Sequence, residues 1–321
     1  MKSNNLKEKI NKFDFCGKLK YCAIISCALV LVGILIISIF GFNLGIDFTG
    51  GTVLNVKVGS KLEEGNNFEI VSSQVTDIFK EKGFKIGYIQ KEGLGEESQV
   101  AIRFQDKEKL TETQMQEEID SLKEDLKTGL SLGGEPLTVT ISNGTRIAAS
   151  ASKTLLINSI LAILIAVILI LIYIAVRFEL LSGLVAIMML LHDVLIMCSL
   201  VAIFRIQINA GFIAALITII GYSINNVIIV FDRIRENKKK DIYADYTSTA
   251  LANVSIKEVL SRTLLTAVTT IVSILTLTIF GVSSIKEFLL PILFGLLSGI
   301  YSATMLAGPV WAKLSKKTAK R

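Results

Sequence analysis

The sequence predicts a polytopic α-helical membrane protein: six transmembrane helices plus an extracytoplasmic α+β ferredoxin-like (βαββαβ) domain between helices 1 and 2. Three observations carry that expectation. The 321 residues are 51% hydrophobic, with a mean hydropathy of +0.59, well above an ordinary soluble domain. Six apolar runs are each long enough to cross a bilayer, for which about 20 residues suffice. Lysine and arginine gather in alternate flanks of those runs, as the positive-inside rule requires of cytoplasmic segments.

Residues 1–20 are polar and basic and read as a cytoplasmic N-terminus. The first span is 21–42. It is long and lacks a small-residue cleavage site, so it reads as a retained anchor rather than a signal peptide. The following region, 43–152, has a globular pattern. Ile46 to Val58 alternates and is rich in β-branched residues, as in a strand. Phe68, Val71, Val75, Ile78 and Phe79 recur at helical spacing within Asn66 to Lys82. Phe84 to Gln90 and Gln99 to Phe104 read as short strands around a glycine-rich turn, Gly93-Leu94-Gly95. Met115, Ile119, Leu122 and Leu126 mark a second helix over Thr111 to Gly129, and Leu137 to Ile141 a last strand. The order βαββαβ is the ferredoxin-like split arrangement.

The second span is 155–176, followed by the turn Arg177-Phe178-Glu179 and the third span, 180–204. The fourth, 209–231, leads into a charged cytoplasmic segment, 232–258. The fifth is 263–282 and the sixth 288–310, before a basic cytoplasmic tail, 311–321. With six spans, the N-terminus, the 177 turn, Arg233 to Lys240 and the tail with Lys313, Lys316, Lys317, Lys320 and Arg321 share one side. Only Arg205 and Lys286 remain in the opposite short links. Both termini are therefore expected in the cytoplasm. The net charge of +6 then needs no nucleic acid to explain it; the expected surroundings are a lipid bilayer.

Polar residues inside the spans are the candidates for function. Gly211, Ala214, Thr218, Gly221 and Asn225 recur at three and four and share a face of span four, suited either to close helix packing or to a polar path. Thr266, Thr269, Thr270 and Ser273 form a similar face on span five, unless their hydroxyls only bond their own helix carbonyls. Gly295, Gly299 and Ala303 are a close-packing signal on span six. His192, the one histidine, stands beside Asp193 in mid-span three. A carboxylate at that depth costs at least ~2.5 kcal/mol unless paired. It reads either as an ion- or proton-carrying acid or as a hydrogen-bonded structural pair. Asn225 and Asn226 can donate and accept hydrogen bonds but cannot titrate; Arg262 sits at the mouth of span five, or within it if that helix begins earlier, as a partner for a carboxylate. Asp232, Arg233, Arg235 and Glu236 end span four at the cytoplasmic interface, as a solvated anchor with weak ion pairs or as a docking or gating surface.

No nucleotide-binding loop and no GxSxG or HExxH motif occurs, and the four cysteines have no metal or disulfide spacing. The expectation is no enzyme, no catalytic residue, no metal and no cofactor, with a proton or sodium gradient as the energy source.

Four stretches read together resemble the SecF family, the smaller membrane subunits of the SecD–SecF complex of the bacterial Sec translocase. They are Gly45-Ile46-Asp47-Phe48-Thr49-Gly50-Gly51-Thr52; Leu191-His192-Asp193-Val194; Gly221-Tyr222-Ser223-Ile224-Asn225-Asn226 on to Phe231-Asp232-Arg233-Ile234-Arg235-Glu236-Asn237; and Ser261-Arg262-Thr263-Leu264-Leu265-Thr266. The chain is also similar to the wider resistance-nodulation-division superfamily. The resemblance implies location in the bacterial cytoplasmic membrane and pairing with SecD into a pseudo-symmetric bundle. It further implies contact with the SecYEG channel, YajC, YidC and the translocating unfolded protein, and ion-driven help late in protein export. Asp47, Gly50 and Gly51 match the family motif after span one; the resemblance implies an ion-coupling polar centre at the end of span four and the start of span five, made of Asp193, Asn225, Asn226, Arg262 and Thr266, with Arg262 matching the family's arginine. At Asn226 the family pattern usually has aspartate. The resemblance therefore implies that Asp193 or an acid of SecD carries the proton, with SecD favoured, or that this subunit only supports the path. Two other readings compete: an independent small-molecule or lipid exporter of the same superfamily, and a translocon scaffold without coupled ion flux.

Overall fold

The computed structural model describes residues 13–59, 62–63, 67–92, 98–107, 110–142, 146–147, 149–280 and 283–318. The Gly93–Gly95 turn, the first twelve residues and the last three fall outside them.

Six helical stretches are long and apolar enough to cross a membrane. They are α1 (Leu19–Phe40), α5 (Ala149–Arg177), α6 (Leu180–Ile203), α7 (Ala210–Lys238), α8 (Ser248–Phe280), and α9 (Ser283–Tyr301) continuing through a π-helical stretch, Ser302–Ala307, into α10 (Gly308–Thr318). The chain is a multi-pass membrane protein. Helices α6, α7 and α9 form the packed centre, while α1, α5 and α8 leave most of their apolar surface open. In a bilayer that surface meets acyl chains, so its exposure carries no penalty.

Small residues set the central contacts. A Cβ on Gly295 would stand 2.5 Å from Ile219, and one on Gly299 would stand 3.4 Å from Ser223. The glycine row of α9 thus lets the backbones of α7 and α9 approach closely, which is the chief source of helix affinity where lipid is as apolar as leucine. On α1 the buried positions are Ser26 and Gly33, two turns apart on one face against α6.

The span boundaries differ from the hydropathy runs at one end of the bundle. α7 continues to Lys238 and α8 begins at Ser248, so much of the charged 232–258 segment is helix extending the two spans. At 1.5 Å per residue α7 is about 44 Å long, against about 30 Å of hydrocarbon. Because α8 begins early, Arg262 lies nearly four turns inside it, within the helix rather than at its mouth.

The domain between α1 and α5 runs α2 (Ile46–Thr49), β1 (Gly51–Val58), α3 (Asn67–Glu81), β2 (Lys85–Glu92), β3 (Gln99–Gln105), α4 (Glu112–Gly129), a small hairpin β4 (Ser131–Leu132) and β5 (Glu135–Pro136), β6 (Val139–Ser142) and β7 (Arg146–Ile147). The main sheet is antiparallel in the order β2-β3-β1-β6, with β7 also on β1. Alternation sends Leu54, Val56 and Val58 of β1 and Val100, Ile102 and Phe104 of β3 into one core. Val71, Val75 and Phe79 of α3 and Met115, Ile119, Leu122 and Leu126 of α4 cover it. Phe79, Phe84 and Phe104 meet edge to face, with Phe79 and Phe104 centroids 5.0 Å apart. Thr111 caps α4 in a reciprocal capping box with Gln114.

One stretch departs from its expected form. Ile46 to Thr49 is a single helical turn, and the strand starts only at Gly51. Gly50 takes φ +76°, and a Cβ on Gly51 (φ +153°) would stand 2.3 Å from the Phe104 carbonyl oxygen. Alternation cannot reveal such a turn, because Ile46 and Phe48 are buried there as they would be in a strand.

Candidate functional site: a buried carboxylate and an open polar face

Asp193 is fully buried in α6. Its Oδ1 accepts from Ser298 Oγ at 2.7 Å and lies 2.9 Å from His192 Nδ1. Its Oδ2 accepts from Ser302 Oγ at 2.7 Å and from Ser223 Oγ. Four donors from α6, α7, α9 and the π-helical stretch thus fill the four lone-pair directions of one carboxylate. A buried charge is tolerated only when satisfied in this way. Beyond the imidazole, His192 Nε2 is 2.9 Å from Ser26 Oγ of α1, Ser26 Oγ is 3.2 Å from Tyr301 Oη, and Tyr301 donates to the Cys22 carbonyl at 2.7 Å. The result is a continuous polar chain from α1 to α7 through the helical interior.

The other members expected with Asp193 are divided from it. Ser223 and Asn226, three residues apart, are buried, whereas Asn225 between them is exposed. Arg262 and Thr266 are exposed on α8, while Thr263 is buried. The single polar centre read from the sequence is therefore two features, one on each side of α7. The cause is helical phase: a turn of 3.6 residues sends adjacent positions about 100° apart.

The outward feature is extensive. Thr218, Gly221 and Asn225 of α7 and Arg262, Thr266, Thr269 and Ser273 of α8 are all exposed. A Cβ on Gly221 would meet nothing within 4 Å. The α8 hydroxyls bond carbonyls of their own helix; Thr266, for one, donates to the Arg262 carbonyl at 2.9 Å. Arg262 makes no side-chain ion pair among the described residues and borders a cleft of about 430 Å³ with Asp232, Glu236 and Glu258. Two buried atoms, Asn226 Nδ2 of α7 and Thr263 Oγ1 of α8, also lack a partner among the described residues.

The charged end of α7 is an interlock. Asp232 binds Arg177 at 2.9 Å and Arg235 at 3.0 Å, tying α7 to the end of α5. Arg233 binds Glu236 at 2.7 Å and Glu258 at 2.6 Å, tying α7 to α8. Fully buried Asn237 adds bonds to Ser255 at 3.1 Å and Glu258 at 2.6 Å. The N-terminal segment docks on the same end: the Phe15 and Cys16 N–H groups donate to Asn253 Oδ1 at 3.0 and 3.2 Å.

The Asp47-Gly50-Gly51 motif sits where the α+β domain meets the bundle. Asp47 Oδ2 accepts from the Ala210 N–H at 2.9 Å, placing an anion on the α7 N-terminus. Beside it, Gly45 N–H donates to the Ile208 carbonyl and Ile208 N–H to the Asn43 carbonyl, both at 2.8 Å. Arg103 of β3 reaches Glu287 of α9 at 3.3 Å, and Asn209 donates to the same Glu287 oxygen at 2.7 Å.

Sequence reasoning missed Ser298, Ser302, Tyr301 and Glu287. Ser298 and Ser302 are four apart, each one position before a member of the Gly295–Gly299–Ala303 row, and that spacing is the available signal.

The comparisons with known proteins bear on these features together. Residues 135–317 match the family model described as protein export membrane protein SecD/SecF, C-terminal, and residues 35–61 match the SecD/SecF GG motif. The chain belongs to the SecD/SecF family. The protein translocase subunit SecF of Rickettsia prowazekii is 32% identical over 298 residues, covering 93% of this chain and 89% of that one. SecF of Borreliella burgdorferi is 34% identical over 297 residues, covering 92% and 94%. The fused SecDF of Bacillus subtilis is 33% identical over 313 residues, 97% of this chain but 39% of its own. The crystal structure of SecDF from Thermus thermophilus superposes with a TM-score of 0.72 at 28% identity, covering 96% of this chain and 39% of that one. The chain thus spans about two fifths of the fused relatives and nearly all of the SecF subunits. Membership places it among protein-export components of the membrane.

Proposed function

We propose that this chain is the SecF-type half of an export motor, paired with SecD through the open face of α7 and α8. The observation that carries the reading is that face itself. The exposed Asn225 amide and Arg262, which makes no side-chain ion pair among the described residues, leave hydrogen-bonding capacity on that face that acyl chains cannot meet. A second six-helix unit laid against it would bury the face and bring acids to Arg262. Asn226 cannot titrate, so SecD supplies the main proton- or sodium-carrying acid, with Asp193 and Arg262 in support.

The lysine and arginine distribution supports placing both termini in the cytoplasm of a bacterial cell and the α+β domain outside. The strand order β2-β3-β1-β6 with two helices on one face supports a ferredoxin-like module. Such a module would hold or release an emerging unfolded chain as the ion cycle moves it against the bundle. Docking on SecYEG, with YajC and YidC nearby, places it at the exit of the channel. The test is secretion in vesicles containing SecD with and without this subunit, under a proton or a sodium gradient. The proposal requires that gradient-stimulated export depend on the subunit; equal stimulation in its absence would reject it.

A further inference from the structure

A cleft of about 590 Å³ opens where the start of α1, the start of α8 and α10 come together. That volume is within the range of sites that hold a small molecule, about 300–1,000 Å³. The cleft shares no lining residue with the open face of α7 and α8. Gly17, Lys20, Tyr21 and Ile24 line it from the N-terminal side, Thr249 from α8 and Lys313 from α10.

Two ammonium groups dominate its charge. Lys20 and Lys313 are exposed, and neither makes an ion pair among the described residues. No carboxylate lines the cleft among the described residues. Asp14, three residues before Gly17, is already held by the Gly17 N–H at 3.1 Å and the Asn253 amide at 2.8 Å. Lys18 rests its Nζ over the Phe13 ring, 4.4 Å from the centroid. The positive end of the α1 dipole adds to the same potential. The lysines come from opposite ends of the chain, and each is left without a counter-ion on the wall of one cleft.

The rest of the wall is apolar and points along the membrane. Ile24 follows Lys20 by four residues, so it lies one turn further along the same face of α1. Tyr21 and Ile24 are both exposed, and the Ile24 face continues through exposed Leu31 and Leu35. A tyrosine beside lysines at the start of a span marks the headgroup level of a bilayer. The cleft therefore offers cations at the membrane surface and an apolar track leading inward.

We propose that this cleft binds an anionic phospholipid, its phosphate held between Lys20 and Lys313 and an acyl chain lying along Tyr21 and Ile24. Basic pockets between membrane helices take such headgroups. A free phosphate would engage the lysines alone and leave the apolar track uncovered, whereas a lipid satisfies both parts. The leaflet concerned follows from the lysine and arginine distribution; binding itself depends neither on that assignment nor on pairing with SecD.

Trp311, the one tryptophan, stands two residues from Lys313 in α10, so its emission reports an acyl chain seated in the cleft. The experiment places the full-length chain in phosphatidylcholine vesicles doped with a small, equal fraction of brominated phosphatidylglycerol or brominated phosphatidylcholine. Bromine on the acyl chains quenches a neighbouring tryptophan. The expected result is stronger quenching by the anionic lipid. Lys20→Gln and Lys313→Gln should each lower that preference about fivefold, the worth of one basic residue at an anionic surface. Lys238→Gln, at an exposed lysine outside the cleft, should leave it unchanged. Should one cleft variant fail to fold, the other reads the same site. Equal quenching by the two lipids, a preference that survives in a folded cleft variant, or an equal loss in Lys238→Gln overturns the proposal. Relief of the quenching by inorganic phosphate overturns it in favour of a free anion.

Discussion

Replacing Gly33 tests whether α1 is held against α6 by backbone proximity. A Cβ on Gly33 would stand 2.3 Å from Ser199 Cβ, 2.4 Å from its Oγ and 2.6 Å from its Cα. Carbon atoms pack at about 3.5–4.0 Å, so Gly33→Ala needs a further ~1 Å of separation. A rotamer change can move only the Oγ; the Cβ and Cα are fixed to the helix. Helix propensity favours alanine by about 1 kcal/mol, whereas overpacking costs roughly 1–3 kcal/mol, so the expected net effect is a loss of up to ~2 kcal/mol. Ser26 lies two turns from Gly33 on the same face, and its 2.9 Å bond to His192 should lengthen as α1 moves away. The assay is thermal unfolding in lipid nanodiscs of the parent, Gly33→Ala, and Gly33→Ala with Ser199→Gly. The double variant removes the two nearest atoms but not the Cα, so partial recovery is expected. A Gly33→Ala protein more stable than the parent by the full helix-propensity gain of about 1 kcal/mol would refute the close approach.

Asn237→Ala removes buried bonds to Ser255 and Glu258 and should cost about 1–3 kcal/mol in unfolding measurements; no change would mean that the interlock contributes nothing. Arg103→Ala leaves Glu287 without its cation at the joint between domain and bundle, so amide exchange along β2 and β3 should quicken while the α3–α4 core stays protected. Asp14 is held below its ordinary 3.8 by the Asn253 side-chain bond and then the Gly17 N–H. Its contribution to docking the N-terminal segment is therefore fully present above about pH 4 and lost as pH falls through the lowered value. Trp311, the one tryptophan, shares a core with Phe15, so its emission should hold steady down to about pH 4 and change below; a change centred near neutrality would contradict the assignment.

Legibility in the sequence followed the strength of periodicity. Six apolar runs, the alternation of Leu54, Val56 and Val58, and the Val71–Val75–Phe79 spacing are direct consequences of burial, and each can be read without a structure. The helical turn at 46–49 could not, since it depends on two glycines at unusual φ and on Asp47 reaching a helix end 163 residues away. In the site, the His192–Asp193 pair was visible as an unexpected charge in a span. Its serine partners were not, because a hydroxyl in a transmembrane helix has the same composition whether it bonds its own helix, as Thr266 does, or a neighbour, as Ser298 does. The split of the polar centre turned on phase: Asn225 and Asn226 are adjacent in sequence, and only the packing of α9 on α7 decides which of them is buried.

In the proposed pairing a partner membrane subunit covers the open face of α7 and α8. Cysteine placed at Asn225 and, separately, at Thr266, with a zero-length or short cross-linker applied in native membranes, tests it most directly. Pairing should give strong cross-links from both positions to SecD, and their loss on adding Gly221→Leu, at a position where a Cβ meets nothing within 4 Å in the isolated chain. A monomeric chain whose two cysteines react only with lipid-borne probes would contradict it.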